Sequence, residues 1–228
     1  MELQALPPQL HWVLAAAQKG IKTREPAVQE TVRKLRLEFP EATPDEVART
    51  LIRRQRRRLA ATAAASGAVS VVPGLGTLAV LGVGTVQSVY ALEQELELVL
   101  AVGLIFGHLP VEHEDRTLEA LLVVGLAGGA VKLRDDLLIV GSQRLAVHAV
   151  TTYPRLLLSR VGSQALTRIL SGAVGSQVGS VLGRALPLAV GIGVGAGFDW
   201  ITVTALGNAA LRYYGPEGPA AKRAPDTE

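Results

Sequence analysis

Five closely spaced arginines are the densest group of chemically active side chains in the sequence. They are Arg53, Arg54, Arg56, Arg57 and Arg58, and the residues that follow them, 59–92, carry no charge. Guanidinium groups bind phosphates and carboxylates, so the cluster indicates an anionic partner. No aromatic residue is interleaved with it, as base stacking on a nucleic acid would require. Basic clusters beside apolar segments are typical of contacts with anionic lipid head groups. We expect a lipid surface rather than nucleic acid or a merely solvated helix face.

A glycine-rich motif at residues 74–79 fits the G-x-G-x-x-A turn that holds the pyrophosphate of a dinucleotide. The acids that follow it lie in a charge-rich helix near Glu93, and no alternating series of strands and helices follows. We therefore expect Pro73, Gly74 and Gly76 to form a tight structural turn between two apolar helices, and we expect no cofactor.

The residue types needed for catalysis or metal binding do not occur at the required spacings. The nucleophile elbow G-x-S-x-G and the H-E-x-x-H motif are missing. Cysteine is absent, which excludes thiolate metal sites and thiol catalysis. Metal-ligand residue types occur at residues 108–115, but Pro110 interrupts the helical geometry that would align them. We expect a loop and a helix start there, no metal site and no catalytic residue.

Asp199 is the only charged residue in the apolar region 185–211. An acid among apolar side chains is costly unless it is paired or functional. We expect structural pairing with Arg184 or Arg212, and Asp199 is the one candidate for a functional acid.

The spacing of apolar residues predicts helices along nearly the whole chain. A helix should begin just after Thr43, which is an N-cap residue. Pro44 stands at the first helical position, and Glu46, three residues after the cap, completes a capping box. Other helices are predicted at residues 10–18, 25–39, 93–106, 118–127 and 137–150.

Small residues recur in the second apolar region, where structural turns are expected at Pro187, Gly191 and Gly195. Glycines four residues apart let helices approach closely. The regions 59–92 and 185–211 each predict an apolar helical hairpin, which would span a membrane, insert into it or stay buried in a soluble body.

The basic helix, the turn at Pro73 and the later Pro187 with its glycines together resemble the bacterial EcsC family. The resemblance covers roughly residues 45–214. It implies a helical, membrane-associated protein, in some cases encoded with an ABC transporter, and it brings no catalytic residues. The family pattern has an amide near the position of Asp199, so the acid is a departure from it.

The fold predicted from these observations is all-α, with glycine-packed helices and two apolar hairpins after an amphipathic basic helix. We expect an N-terminal helical extension at residues 1–42, a helical domain at 43–214 and a disordered tail at 215–228. The positive charge is concentrated at one end, because residues 1–58 hold twelve Lys/Arg and seven Asp/Glu.

No signal peptide is visible, so the cytoplasmic face of the bacterial inner membrane is the expected location. The expected function is non-enzymatic binding of lipid, or of a membrane partner such as an ABC transporter. Two alternatives remain: a soluble helical carrier of an apolar ligand, and a hydrolase whose site is assembled from distant residues.

Overall fold

The structure is a computed structural model that describes residues 8–65, 86–110, 112–134, 136–152, 154 and 194–223. The α-helices and strands are α1 (Pro8–Glu38), α2 (Pro44–Ala65), α3 (Val86–Phe106), α4 (His113–Ala127), β1 (Val131–Arg134), β2 (Leu137–Val140), β3 (Gln143–Ala146), α5 (Val147–Thr152) and α6 (Val194–Tyr214). A 3-10 helix follows at Ala220–Lys222.

The described part of the chain is mostly helical, as predicted, but the expectation of an all-α fold is wrong. Strands β1, β2 and β3 form an antiparallel sheet in that order. The helix predicted over residues 137–150 is replaced by β2, β3 and the short α5. Residues 137–140 read Leu-Leu-Ile-Val and Gly141 has a φ of 62°. Apolar and β-branched residues ending at a glycine that adopts positive φ favour a hairpin over a helix.

Helix α1 is continuous where two helices were predicted, and it contains Pro26. Its apolar face persists across the proline, with Leu14, Ile21, Val28 and Leu35 all buried. This face packs against α3, and tertiary packing keeps the proline inside the helix.

The predicted capping box at the start of α2 is confirmed. The backbone N–H of Thr43 donates to Glu46 Oε2 at 2.8 Å, and the backbone N–H of Glu46 faces Thr43 Oγ1 at 3.4 Å. Each side chain thus partners a backbone donor that the helix leaves unpaired.

The end of α3 is also as predicted, since the helix stops at Phe106 and Gly107 follows with a φ of 74°. Helix α4 then runs to a cap at Gly128. Helix α6 packs against α2, α3 and α4 and brings Tyr213 and Tyr214 into the core. It meets α2 closely, because a Cβ on Gly207 would lie 2.8 Å from Ile52 Cγ2.

Residues 215–223, which we call the C-terminal strap, are ordered, so the expected disordered tail is wrong for this segment. The backbone N–H of Gly215 donates to Leu211 O at 2.8 Å, and that of Gly218 donates to Gly215 O at 2.8 Å. The segment folds back on the sheet, where Lys222 pairs with Asp136 at 2.8 Å. Glycine and proline here produce tight turns.

Candidate functional site

The arginine cluster lies on α2, beyond the part of the helix that is packed into the body. Val47, Ala48, Leu51 and Ile52 are buried. The arginine cluster begins at the next residue, Arg53. Arg53, Arg54, Arg57 and Arg58 are exposed, and Arg56 is half-buried. The buried half therefore fixes a helix that presents the cluster to solvent.

Arg54 is the most constrained member of the cluster. Its Nη1 and Nη2 donate to the two carboxylate oxygens of Glu38 at 2.8 and 2.5 Å. Its guanidinium also lies over the Phe39 ring, 5.4 Å from the centroid. The hydrogen bond from Arg54 lowers the pKa of Glu38, so this acid stays ionised. Arg53, by contrast, donates to the hydroxyl of Thr50 on its own helix, at 3.0 Å.

The cluster dominates the local charge. Helix α2 holds six arginines and two acids, Asp45 and Glu46. Both acids lie in its first turn, where their negative charge interacts favourably with the helix dipole. Asp45 also pairs with Arg49 at 2.6 Å. The half of the helix that carries the cluster is therefore strongly positive and suited to binding phosphate or carboxylate groups.

Most of the predicted structural turns are not tested by the structure. Pro73, Gly74, Gly76, Pro187 and Gly191 lie outside the described residues. Gly195 lies inside α6, so helix replaces the turn expected there.

Asp199 lies on α6, as does Arg212, which was one of its expected partners. At about 1.5 Å per residue the two are about 20 Å apart along the axis, which is too far for an ion pair. Arg212 instead donates to the carbonyl of Leu133 at 3.3 Å. The other expected partner, Arg184, lies outside the described residues.

The histidine and acidic residues at 108–115 form a loop and the start of α4, as predicted. Within the described residues no three His, Asp or Glu side chains come together in a way that could hold a metal ion. His113 faces another residue, Glu25 on α1, with Nδ1 3.1 Å from Oε2. Arg116 pairs with the same carboxylate, which also accepts from Gln29 at 3.2 Å. This network around the buried Glu25 carboxylate joins α1 to α4.

A second buried polar cluster was not predicted from the sequence. The Glu119 side chain is 1% exposed and pairs with Arg223 of the strap. Arg223 also donates from Nε to Thr151 O at 2.7 Å and from Nη1 to His108 O at 2.8 Å. One guanidinium group thus joins α4, α5 and the loop after α3.

Burial strongly perturbs the groups around this guanidinium. It raises the pKa of the Glu119 carboxyl well above its ordinary value, although Arg223 and the Tyr214 hydroxyl act to lower it. It also raises the pKa values of Tyr213 and Tyr214, and Glu119 adds to both shifts. Burial and the nearby Arg223 lower the pKa of His108, which favours its neutral form. The carboxyl, hydroxyl and imidazole groups around Arg223 therefore favour their uncharged forms more than they would in water.

The described residues line two surface clefts with volumes of about 300 and 560 Å³. The smaller lies between α6 and β1, beside Lys132 and Arg212. The larger lies beside the strap and has Asp136, Glu217 and Lys222 in its wall. The charged wall of the larger cleft does not suit a fatty acyl chain.

None of the described helices combines the length and apolar character needed to cross a bilayer. Comparison of the chain with models of known protein families, with curated proteins and with solved structures finds no match.

Proposed function

We propose that this protein is a non-enzymatic peripheral membrane protein whose arginine cluster binds anionic lipid at the cytoplasmic face of the bacterial inner membrane. The observation that carries the proposal is the exposure of Arg53, Arg54, Arg57 and Arg58 on a helix fixed to the protein body. A relation to the EcsC family, from the sequence pattern of residues 45–214, is part of the same proposal.

The spacing of the exposed arginines suits a flat anionic surface. Arg53 and Arg57 are one helical turn apart, as are Arg54 and Arg58, so the four side chains form two adjacent rows on α2. Long arginine side chains reach several head groups from one helix, and each contributes about 1 kcal/mol near an anionic membrane. The attraction is screened by salt over about 10 Å at moderate ionic strength.

The apolar sequence that follows the cluster supports a membrane rather than a soluble anionic partner. Helix α2 continues beyond Arg58 to Ala65 without another charge. In this proposal the apolar residues that follow the cluster lie beside or partly within the bilayer. A membrane protein, such as an ABC transporter, is a further partner that the EcsC resemblance suggests.

The test is binding to vesicles of phosphatidylglycerol and phosphatidylcholine, measured by flotation as the anionic fraction increases. The variant replaces Arg53, Arg57 and Arg58 with Glu. We expect its affinity for anionic vesicles to fall on the order of a hundredfold, because three favourable charges become repulsive. Wild-type binding should weaken as salt is added.

The matched control replaces Lys132, Arg134 and Arg144 with Glu, which changes the net charge equally. All three are exposed on the sheet, and none lies on α2. We expect this variant to bind nearly as well as the wild type. An equal loss in both variants would show that only net charge matters, and unchanged binding of the α2 variant would refute the proposal.

A further inference from the structure

The strap ends in a guanidinium group whose acceptors come from three separate elements. Arg223 donates to the Glu119 carboxylate on α4, to Thr151 O on α5 and to His108 O in the loop after α3. Two of these acceptors are backbone carbonyls, whose positions are set by the fold and not by the strap. The acceptors match the planar, forked arrangement of guanidinium N–H groups, which a lysine ammonium cannot reproduce.

The surroundings of this group retain further hydrogen-bonding capacity. Glu119 Oε1 and the hydroxyls of Tyr213 and Tyr214 are buried, and none has a hydrogen-bond partner of ordinary geometry. The Tyr214 hydroxyl is near enough to the Glu119 carboxyl to lower its pKa. Polar atoms concentrated in a core of apolar side chains are typical of a recognition site rather than of packing alone.

The rest of the strap makes modest contacts. Pro219 and Ala220 are buried, Ala220 at 2% exposure. The Lys222–Asp136 pair is solvent-exposed, with 57% and 80% of the two side chains accessible. Two small apolar side chains and one exposed ion pair stabilise a segment only modestly. Closure of the strap therefore depends in part on Arg223.

We propose that the Glu119 carboxylate and the carbonyl oxygens of Thr151 and His108 form a binding site for a guanidinium group, with the C-terminal strap as its tethered, releasable ligand. The three groups are hereafter the guanidinium site. When the strap opens, the site accepts another guanidinium, either a small alkylguanidinium or an arginine side chain. This proposal is independent of lipid binding by α2.

The experiment empties the site in the full chain with Arg223→Ala and then supplies ethylguanidinium, which replaces the atoms that the substitution removes. Thermal unfolding is followed by circular dichroism at constant ionic strength. We expect Arg223→Ala to melt at a lower temperature than the wild type. Ethylguanidinium should raise its melting temperature along a single-site saturation curve, because a ligand that binds only the folded state stabilises it.

Three comparisons show whether the effect belongs to the site. The wild type, whose site is filled, should not respond beyond the effect of ethylammonium. Arg223→Ala should respond to ethylammonium much less than to ethylguanidinium. The double variant Glu119→Gln, Arg223→Ala should lose most of the response. Equal responses in the single and double variants, or no response in Arg223→Ala, would overturn the proposal.

Arg223→Lys tests the same claim if Arg223→Ala does not fold. It keeps the positive charge but cannot donate to all three acceptors. We expect the backbone N–H of Gly218 to exchange with deuterium about tenfold faster than in the wild type, since about 1 kcal/mol is lost with each missing hydrogen bond. Exchange at the wild-type rate would show that charge alone closes the strap and would contradict guanidinium recognition.

Discussion

The arginine cluster on α2 and the single Arg223 of the strap use the same side chain in opposite ways. Arg54 in the cluster is 45% exposed and pairs with Glu38 of helix α1. Arg223 is 15% exposed, and its hydrogen-bond acceptors surround it. The cluster concentrates charge on one exposed stretch of helix. The guanidinium site concentrates acceptors around one charge. An exposed cluster is suited to an external anion, and an enclosed arginine contributes to the fold.

The two regions should also differ in their sensitivity to solvent. Exposed ion pairs contribute little to stability and are weakened by salt. A buried pair is screened much less, and removing one partner leaves an unpaired charge in the interior. Substitutions in the two regions should therefore change different measured properties: folding free energy at Glu119, and membrane affinity at α2.

The largest expected change in stability comes from Glu119→Leu. The variant leaves the Arg223 guanidinium without its carboxylate in a buried position, and we expect the free energy of unfolding in urea to fall by about 3 kcal/mol. The double variant Glu119→Leu, Arg223→Leu removes the stranded charge and should be more stable than Glu119→Leu alone. If Glu119→Leu costs less than about 1 kcal/mol, the contrast between the two regions is wrong.

A smaller effect is expected from pH. Burial raises the pKa of Glu119 in the folded state, because the carboxylate that pairs with Arg223 costs more to form there than in water. Stability from this group is present at low pH and is lost as the pH rises through the raised pKa. The groups that face it are Arg223 and Tyr214, together with Tyr213 and Asp115. Each unit of pKa shift corresponds to about 1.4 kcal/mol.

Urea unfolding of the wild type and of Glu119→Gln, measured from about pH 5 to about pH 9, tests this linkage. The glutamine cannot titrate. We therefore expect the wild type to lose stability relative to the variant as the pH increases. A difference that stays constant, or that changes in favour of the wild type, would show that burial does not control this carboxyl.

The smallest expected effect is at Glu38, where the direction of the change in membrane affinity tests the comparison. Glu38→Gln removes the acid that pairs with Arg54 and leaves the cluster more positive. The pair is exposed, so the urea midpoint should not change measurably. Binding to anionic vesicles should tighten about threefold, because one unfavourable charge is lost from the lipid-facing region. Weaker binding by this variant would mean that Glu38 positions Arg54 for its lipid contact.

Local sequence signals predicted the helices that have clear starts and stops. The capping box at Thr43 and Glu46 and the glycine after Phe106 give boundaries that agree with the structure. These signals succeed because they involve residues within a few positions of one another. The sequence predicted two helices where α1 is continuous across Pro26, because packing against α3 outweighs the local cost of the proline.

The sequence analysis missed the sheet because it assigned the apolar residues after Asp136 to a helix. The β-branched residues before Gly141 were the available signal for a strand. The arginine cluster, by contrast, could be identified from sequence because its members are contiguous.

The guanidinium site could not be identified in this way. Glu119 and Arg223 are distant in sequence, and Arg223 lies in a segment whose glycines and prolines predicted disorder. Only the isolated acid among the apolar residues of α4 pointed to a buried partner, and nothing local identified that partner as Arg223.

The most direct test of lipid binding by the arginine cluster is a measurement of which residues contact the membrane. The chain has no cysteine, so Arg57→Cys and Arg144→Cys each provide one labelling position and lose the same charge. Each variant would carry a fluorophore and be bound to phosphatidylglycerol vesicles that contain a head-group quencher. We predict strong quenching at position 57 and little at position 144. Bound protein with little quenching at 57, or with equal quenching at both positions, would contradict the proposal that α2 binds the membrane.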